Sequence, residues 1–129
     1  MVEGSCHCGK VHWRFDGVPP SATVCNCSVC RRYGAMWGYG SEGKEVHVSG
    51  PTQVYSWGRK WLGFHFCPDC GCTVYWRALM LDRTGHRRMG VNLRLAPQEA
   101  VRALPIIRHD TEIKGDLPRD GRCVADMWF

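Results

Sequence analysis

Apolar and polar residues alternate with a period of two over much of the chain. Val11, Trp13 and Phe15 alternate with His12 and Arg14, and Val46 and Val48 flank His47. The longest run sets Met89, Val91, Leu93 and Leu95 against Gly90, Asn92 and Arg94. In a strand, successive side chains leave opposite faces, so this pattern predicts strands with one face on a core. Thr52 to Trp57, Gly63 to Phe66, Thr73 to Arg77 and Ile106 to His109 read as further strands, with turn formers such as Ser49-Gly50-Pro51 and Gly58 between them. One segment carries a helical signature. Pro97 suits a first helical position, Gln98 and Glu99 suit the first turn, and Val101 and Leu104 lie three apart before Pro105. The tail from Gly115 to Gly121 reads as loop. The pattern predicts a mainly β protein with little helix.

Composition agrees. The 129 residues, 44% hydrophobic and 22% charged, suit a single domain spanning 1–129. Fifteen Gly and seven Pro imply many turns and argue against a helical bundle. No apolar run approaches the ~18 residues of a membrane-spanning helix. The opening Met-Val-Glu-Gly-Ser-Cys-His-Cys has neither a basic nor an apolar signal region, so a reducing, cytoplasmic setting without membrane partners is expected.

Nine cysteines change the picture most. Their number is odd, and in a reducing compartment clustered thiols hold metal more often than they pair as disulfides. Three clusters stand out: Cys6-His7-Cys8, Cys25-Asn26-Cys27-Ser28-Val29-Cys30 and Cys67-Pro68-Asp69-Cys70-Gly71-Cys72. Zn²⁺ takes four ligands in a tetrahedron, and thiolates suit it. A Cys-x-x-Cys turn supplies two ligands and needs a second pair from elsewhere, which Cys6 and Cys8 can provide. Cys6, Cys8, Cys67 and Cys70 are therefore assigned to a closed structural site. Cys25, Cys27 and Cys30 remain, three ligands on one short loop. Three protein ligands with an open fourth position is the arrangement of catalytic zinc; a fourth ligand from Cys72, His65 or Cys123 would make the site structural instead. Two Zn²⁺ per chain are expected. Seven metal-bound thiolates subtract seven charges and two Zn²⁺ add four, so the formal +5 falls to about +2, and the charge makes no case for a nucleic-acid partner.

Together, Gly4-x-Cys6-x-Cys8-Gly9-x-Val11, Cys25-x-Cys27-x-x-Cys30-Arg31-Arg32 and Phe66-Cys67-x-x-Cys70-Gly71 resemble the glutathione-dependent formaldehyde-activating enzyme family, also called the centromere-protein-V/GFA group. Val91-Asn92-x-Arg94 is similar to a later family segment. The resemblance implies an Mss4-like fold of several coiled antiparallel β-sheets with zinc knuckles. It implies the same ligand split, with Cys6, Cys8, Cys67 and Cys70 structural and Cys25, Cys27 and Cys30 catalytic. It also implies a carbon–sulfur lyase-type reaction that joins glutathione and formaldehyde into S-hydroxymethylglutathione. Cys72 departs from the motif, which places Ser or Thr there; as a fourth ligand it would close the second site.

Other residues are weighed against blander roles. Arg31 and Arg32 could hold the carboxylates of glutathione or another acidic thiol, or simply offset thiolate charge. Trp37 and Tyr39 could wall a pocket or belong to the core. His65 alternates with Phe64 and Phe66, so it faces away from them, to solvent or a hydrogen bond. The rival to an enzyme is a non-catalytic zinc-stabilised β scaffold or binding module. A methionine sulfoxide reductase-like enzyme using Cys123 or Cys72 is a third alternative. Homo-oligomerisation is compatible with all three.

Overall fold

The computed structural model describes residues 1–128. Among them lie eleven strands: β1 (Val2–Ser5), β2 (His12–Phe15), β3 (Ala22–Cys25), β4 (Trp37–Ser41), β5 (Val46–Ser49), β6 (Gln53–Tyr55), β7 (Leu62–Phe66), β8 (Thr73–Ala78), β9 (Arg88–Asn92), β10 (Ile106–Asp110) and β11 (Gly115–Asp116). Two one-turn helices, α1 (Cys30–Tyr33) and α2 (Gln98–Val101), and two 3₁₀ turns complete the list. The strands form a three-stranded sheet, β1-β2-β5, and an eight-stranded sheet, β11-β10-β3-β4-β9-β8-β7-β6. The mainly β class expected from the alternation is the class found. One pair departs from the antiparallel rule, since β10 runs parallel to β3 and sets His109 beside Cys25.

The main core draws on both sheets, with Val11, Trp13 and Phe15 meeting Val46, Val74, Met89 and Val91. A second cluster gathers Cys30, Ala35, Trp37, Phe64 and Trp76 on the eight-stranded sheet. Burying such side chains removes apolar surface from water, the largest favourable contribution to folding. Among the described residues, no helix is long and apolar enough to cross a membrane.

Several sequence expectations shift for local reasons. The alternation from Met89 to Leu95 does not stay a strand. Asn92 accepts from the Arg94 N–H at 3.2 Å and donates to the Thr73 carbonyl at 2.9 Å, which turns Leu93–Leu95 into a 3₁₀ turn. Pro97 caps α2 instead of opening it. Gly115–Asp116, expected as loop, pairs with His109 and Asp110. Strand β4 is hidden in sequence by Gly38 and Gly40. Its glycines are demanded by space: a Cβ at Gly40 would lie 2.9 Å from Val46 and 3.1 Å from Phe15. His65 faces away from Phe64, and of the two expected surroundings, solvent or a hydrogen bond, it takes the hydrogen bond. It is 8% exposed, stacks on Tyr75 at 4.4 Å and hydrogen-bonds Thr52 Oγ1 at 2.8 Å.

Two outcomes are expected. A Cβ at Gly90 would come within 3.0 Å of the Trp76 indole, so Gly90→Ala must displace a ring of the second core cluster. Overpacking of this kind costs about 1–3 kcal/mol, readable as a lower urea midpoint. Burial, with Arg77 adding to it, holds His65 down to about 4, against 6.5 for a free imidazole. Between those values the unfolded chain takes up a proton that the folded chain refuses, so stability falls as the pH falls from about 6.5 to about 4. His65→Gln should flatten that part of a pH series of urea midpoints, and an unchanged slope would contradict the assignment.

Candidate metal centres

The first cluster is built by two turns. Cys6 and Cys8 sit between β1 and β2, and Cys67 and Cys70 between β7 and β8. Each turn is closed by its own backbone: Gly9 N–H donates to Cys6 O at 3.0 Å, and Gly71 N–H to Cys67 O at 2.9 Å. Gly71 has φ +77°, the left-handed conformation its place after Cys70 predicts. The Val11 N–H points at Cys6 Sγ, 3.3 Å away. Across the gap, Lys10 pairs with Asp69. All four sulfurs lie within 4.8 Å of one another, with Cys8 3.6 Å from both Cys6 and Cys67. A tetrahedron with Zn–S bonds of about 2.3 Å has an edge of about 3.8 Å. The donor set and its spacing fit a tetrahedral, thiophilic cation.

Cys25, Cys27 and Cys30 form a second group, again with all sulfurs within 4.8 Å. Cys25 ends β3, Cys27 lies in the turn, and Cys30 is the first residue of α1. The turn wraps its own sulfurs, as Cys27 N–H points to Cys25 Sγ at 3.5 Å and Cys30 N–H to Cys27 Sγ at 3.3 Å. Trp37 Nε1–H donates to Cys30 Sγ at 3.4 Å. N–H donors aimed at sulfur favour the thiolate that metal binding requires. Among the three thiols, sharing a hydrogen bond with Cys30 draws Cys25 down to about 5, helped by the Cys27 N–H and by His109. The same sharing, with burial, pushes Cys30 up.

Asn26 anchors this turn. Its amide donates to Asp110 at 3.0 Å, and its oxygen accepts from the Thr111 N–H at 2.9 Å and hydroxyl at 3.0 Å. Its sequence position between two ligands was the one available hint of this role.

The remaining candidates are distributed as follows. Cys72 does not join the second group. It lies against the first, near Cys70, Cys6 and the His7 backbone, because the turn that carries Cys67 and Cys70 carries it too. His65 is bonded to Thr52, and Cys123 opens the 3₁₀ turn Val124–Met127 with its thiol on Asp126. Among the described residues, the second group therefore has three protein donors.

Two hollows border it. One, of about 640 Å³, is lined by Cys25, Cys27 and Cys30 together with Trp37, Tyr39, Trp57, Arg59, Trp61, Phe64, Trp76 and Lys114. Trp37 thus serves both roles weighed for it, as a core residue 1% exposed and as a pocket wall. The other, of about 360 Å³, brings Arg31, Arg94, Arg108 and His109 toward Cys25 and Cys30. Arg32 lines neither hollow; it donates to Ser28 O at 2.7 Å and braces the turn. Sequence reasoning missed Trp57, Arg59, Trp61, Lys114, Arg94 and Arg108, whose convergence depends on strand order.

Three comparisons bear on identity. The family model described as "Glutathione-dependent formaldehyde-activating enzyme" matches residues 1–102. A curated protein of Halomonas elongata, named "Putative glutathione-dependent formaldehyde-activating enzyme", is 30% identical over 90 residues, covering 58% of this chain and 55% of its own. The chain thus spans about half the length of that relative. A crystal structure of a Rhodobacter sphaeroides protein has the same fold, with a TM-score of 0.58 and 26% identity over 72% of this chain and 85% of that one.

The two clusters should contribute unequally to stability. The first joins turns 59 residues apart, the second donors within one short loop. Closing the longer loop removes more freedom from the unfolded chain, and structural zinc sites are worth about 10–16 kcal/mol in apparent affinity. Cys67→Ser should abolish cooperative thermal unfolding, while Cys27→Ser retains a melting transition within a few degrees of the parent. Chelation at neutral pH should reproduce the Cys67→Ser behaviour in circular dichroism.

Proposed function

Since the chain belongs to the glutathione-dependent formaldehyde-activating enzyme family, we propose that it is a zinc-dependent enzyme of the carbon–sulfur lyase type acting on thiol adducts of small aldehydes. The parent reaction joins glutathione and formaldehyde into S-hydroxymethylglutathione, with residues 1–129 forming one cytoplasmic domain that carries two Zn²⁺. The observation behind the proposal is the group of three thiols bordered by two open hollows, with no fourth protein donor among the described residues. Cys6, Cys8, Cys67 and Cys70 would hold the structural ion, and Cys25, Cys27 and Cys30 the second.

Cys25, Cys27 and Cys30 would hold the second ion, which would supply the Lewis acidity that favours the thiolate form of a nearby thiol. The chain's own residues do the rest. Trp37 Nε1–H and the backbone N–H groups of the turn hold negative charge on the cysteine sulfurs. The guanidinium of Arg31, in the hollow it shares with Arg94 and Arg108, suits the carboxylates of an acidic thiol. On the aromatic side lies the Tyr39 phenol, pushed up to about 12 by burial; like any phenol it is protonated at neutral pH, and its hydroxyl can donate to a carbonyl oxygen. In the reaction the S–H bond breaks, a carbon–sulfur bond forms as the carbonyl π bond opens, and the proton given up by the thiol ends on the former carbonyl oxygen.

The uncatalysed addition is itself facile, so exchange spectroscopy by NMR is the appropriate assay. Cys27→Ala should bring the exchange between glutathione, formaldehyde and the adduct back to the rate without protein, while the far-UV spectrum stays that of the parent. Parent-level exchange in that variant, or a cobalt-substituted spectrum indifferent to added thiol, would favour the scaffold alternative.

A further inference from the structure

The 640 Å³ cleft is far more apolar than a one-carbon aldehyde requires. Its floor is the buried Trp37, Phe64 and Trp76, with Trp37 and Phe64 rings 6.1 Å apart. Above the floor, Trp57 and Trp61 flank the turn between β6 and β7 and remain 43% and 63% exposed. Two indoles left in water at the mouth of a cleft are an unusual expense of apolar surface, and such surfaces mark ligand sites. A cleft of this volume accommodates a ligand of ordinary cofactor or drug size. Formaldehyde has no apolar group to cover either ring.

The charge of the cleft is equally one-sided. Among the described residues, its charged side chains are Arg59 and Lys114, and no carboxylate lines it. The Arg59 guanidinium lies 5.5 Å from the centre of the Trp61 ring, so cation and aromatic surface are offered together. A matching ligand is anionic at one end and bulky and apolar at the other.

We propose that this cleft selects thiol adducts carrying an aromatic or similarly bulky apolar group, placed between Trp57 and Trp61, with one carboxylate of the thiol toward Arg59 and Lys114 and another toward Arg31. The substrate class is then the adduct of an acidic thiol with an aldehyde larger than formaldehyde. This rests on the proposal that the site beside Cys25, Cys27 and Cys30 takes thiol adducts, and names the class it prefers.

Calorimetric titration of the metal-loaded protein with two stable thioethers tests it, independently of turnover. S-benzylglutathione carries the apolar group, and S-methylglutathione lacks it. The benzyl compound should bind at least tenfold more tightly and quench tryptophan fluorescence. Trp57→Ala combined with Trp61→Ala should bring the benzyl affinity down to the methyl value; both side chains are exposed, and an unchanged melting curve verifies the fold. Trp61→Phe, which keeps an aromatic face, should retain most of the difference. Equal affinities of the parent for the two compounds, or a difference that survives the double substitution, overturns the preference and leaves the thiol-adduct site standing. Binding of neither compound overturns both.

Discussion

Four sulfurs from two distant turns must share one small volume. Thiolates at 3.6 Å repel one another unless a cation lies among them, so a metal held there would couple its affinity directly to folding. The coupling is topological as well as electrostatic. Cys6 and Cys8 lie in the turn between two strands of the three-stranded sheet, and Cys67 and Cys70 in the turn between β7 and β8 of the eight-stranded sheet. Holding them together presses Val11 and Trp13 onto Val74 and Met89, and Cys6 and Cys67 are themselves buried in that core.

The second cluster works under a different constraint. Its donors are local, so little of the fold is needed to assemble them and much of the fold is free to surround them. Strand β3 brings Cys25 between β4 and β10, and this position sets the chemistry of the two sides. Tyr39 of β4 and the hairpin of β6 and β7 supply aromatic surface; Arg108 of β10, with Arg31 and Arg94, supplies positive charge. The thiols lie between an apolar wall and a basic one, as an acidic thiol bound to an apolar carbon would require. Asn26 joins the two sides, since one side chain pins the Cys25–Cys30 turn to the end of β10.

What could be read in advance followed physical locality. The Cys6/Cys8 and Cys67/Cys70 pairs and the Cys25, Cys27 and Cys30 turn were visible because chelation by a turn needs donors two or three residues apart. Strands such as Val46–Ser49 were visible because alternation is a backbone property. Strand β4 was not, because Gly38 and Gly40 answer to the side chains of Leu93, Val46 and Phe15, which lie elsewhere in the chain. Cys72 was ambiguous for the same reason. It was weighed as a fourth ligand of the second group, and the path of the turn after Cys70 carries it to the first instead.

By itself, then, the amino-acid sequence determined the β class, the division of seven cysteines into two donor groups and the family, all of which depend on residues close together or on motif order. The tertiary structure alone decided what faces the three-thiol group. Trp57, Trp61 and Arg59 reach it from the β6–β7 hairpin, Lys114 from beyond β10, and Arg94 from the turn after β9. Their meeting is a consequence of strand order in the eight-stranded sheet, a long-range property that no local pattern of side chains encodes.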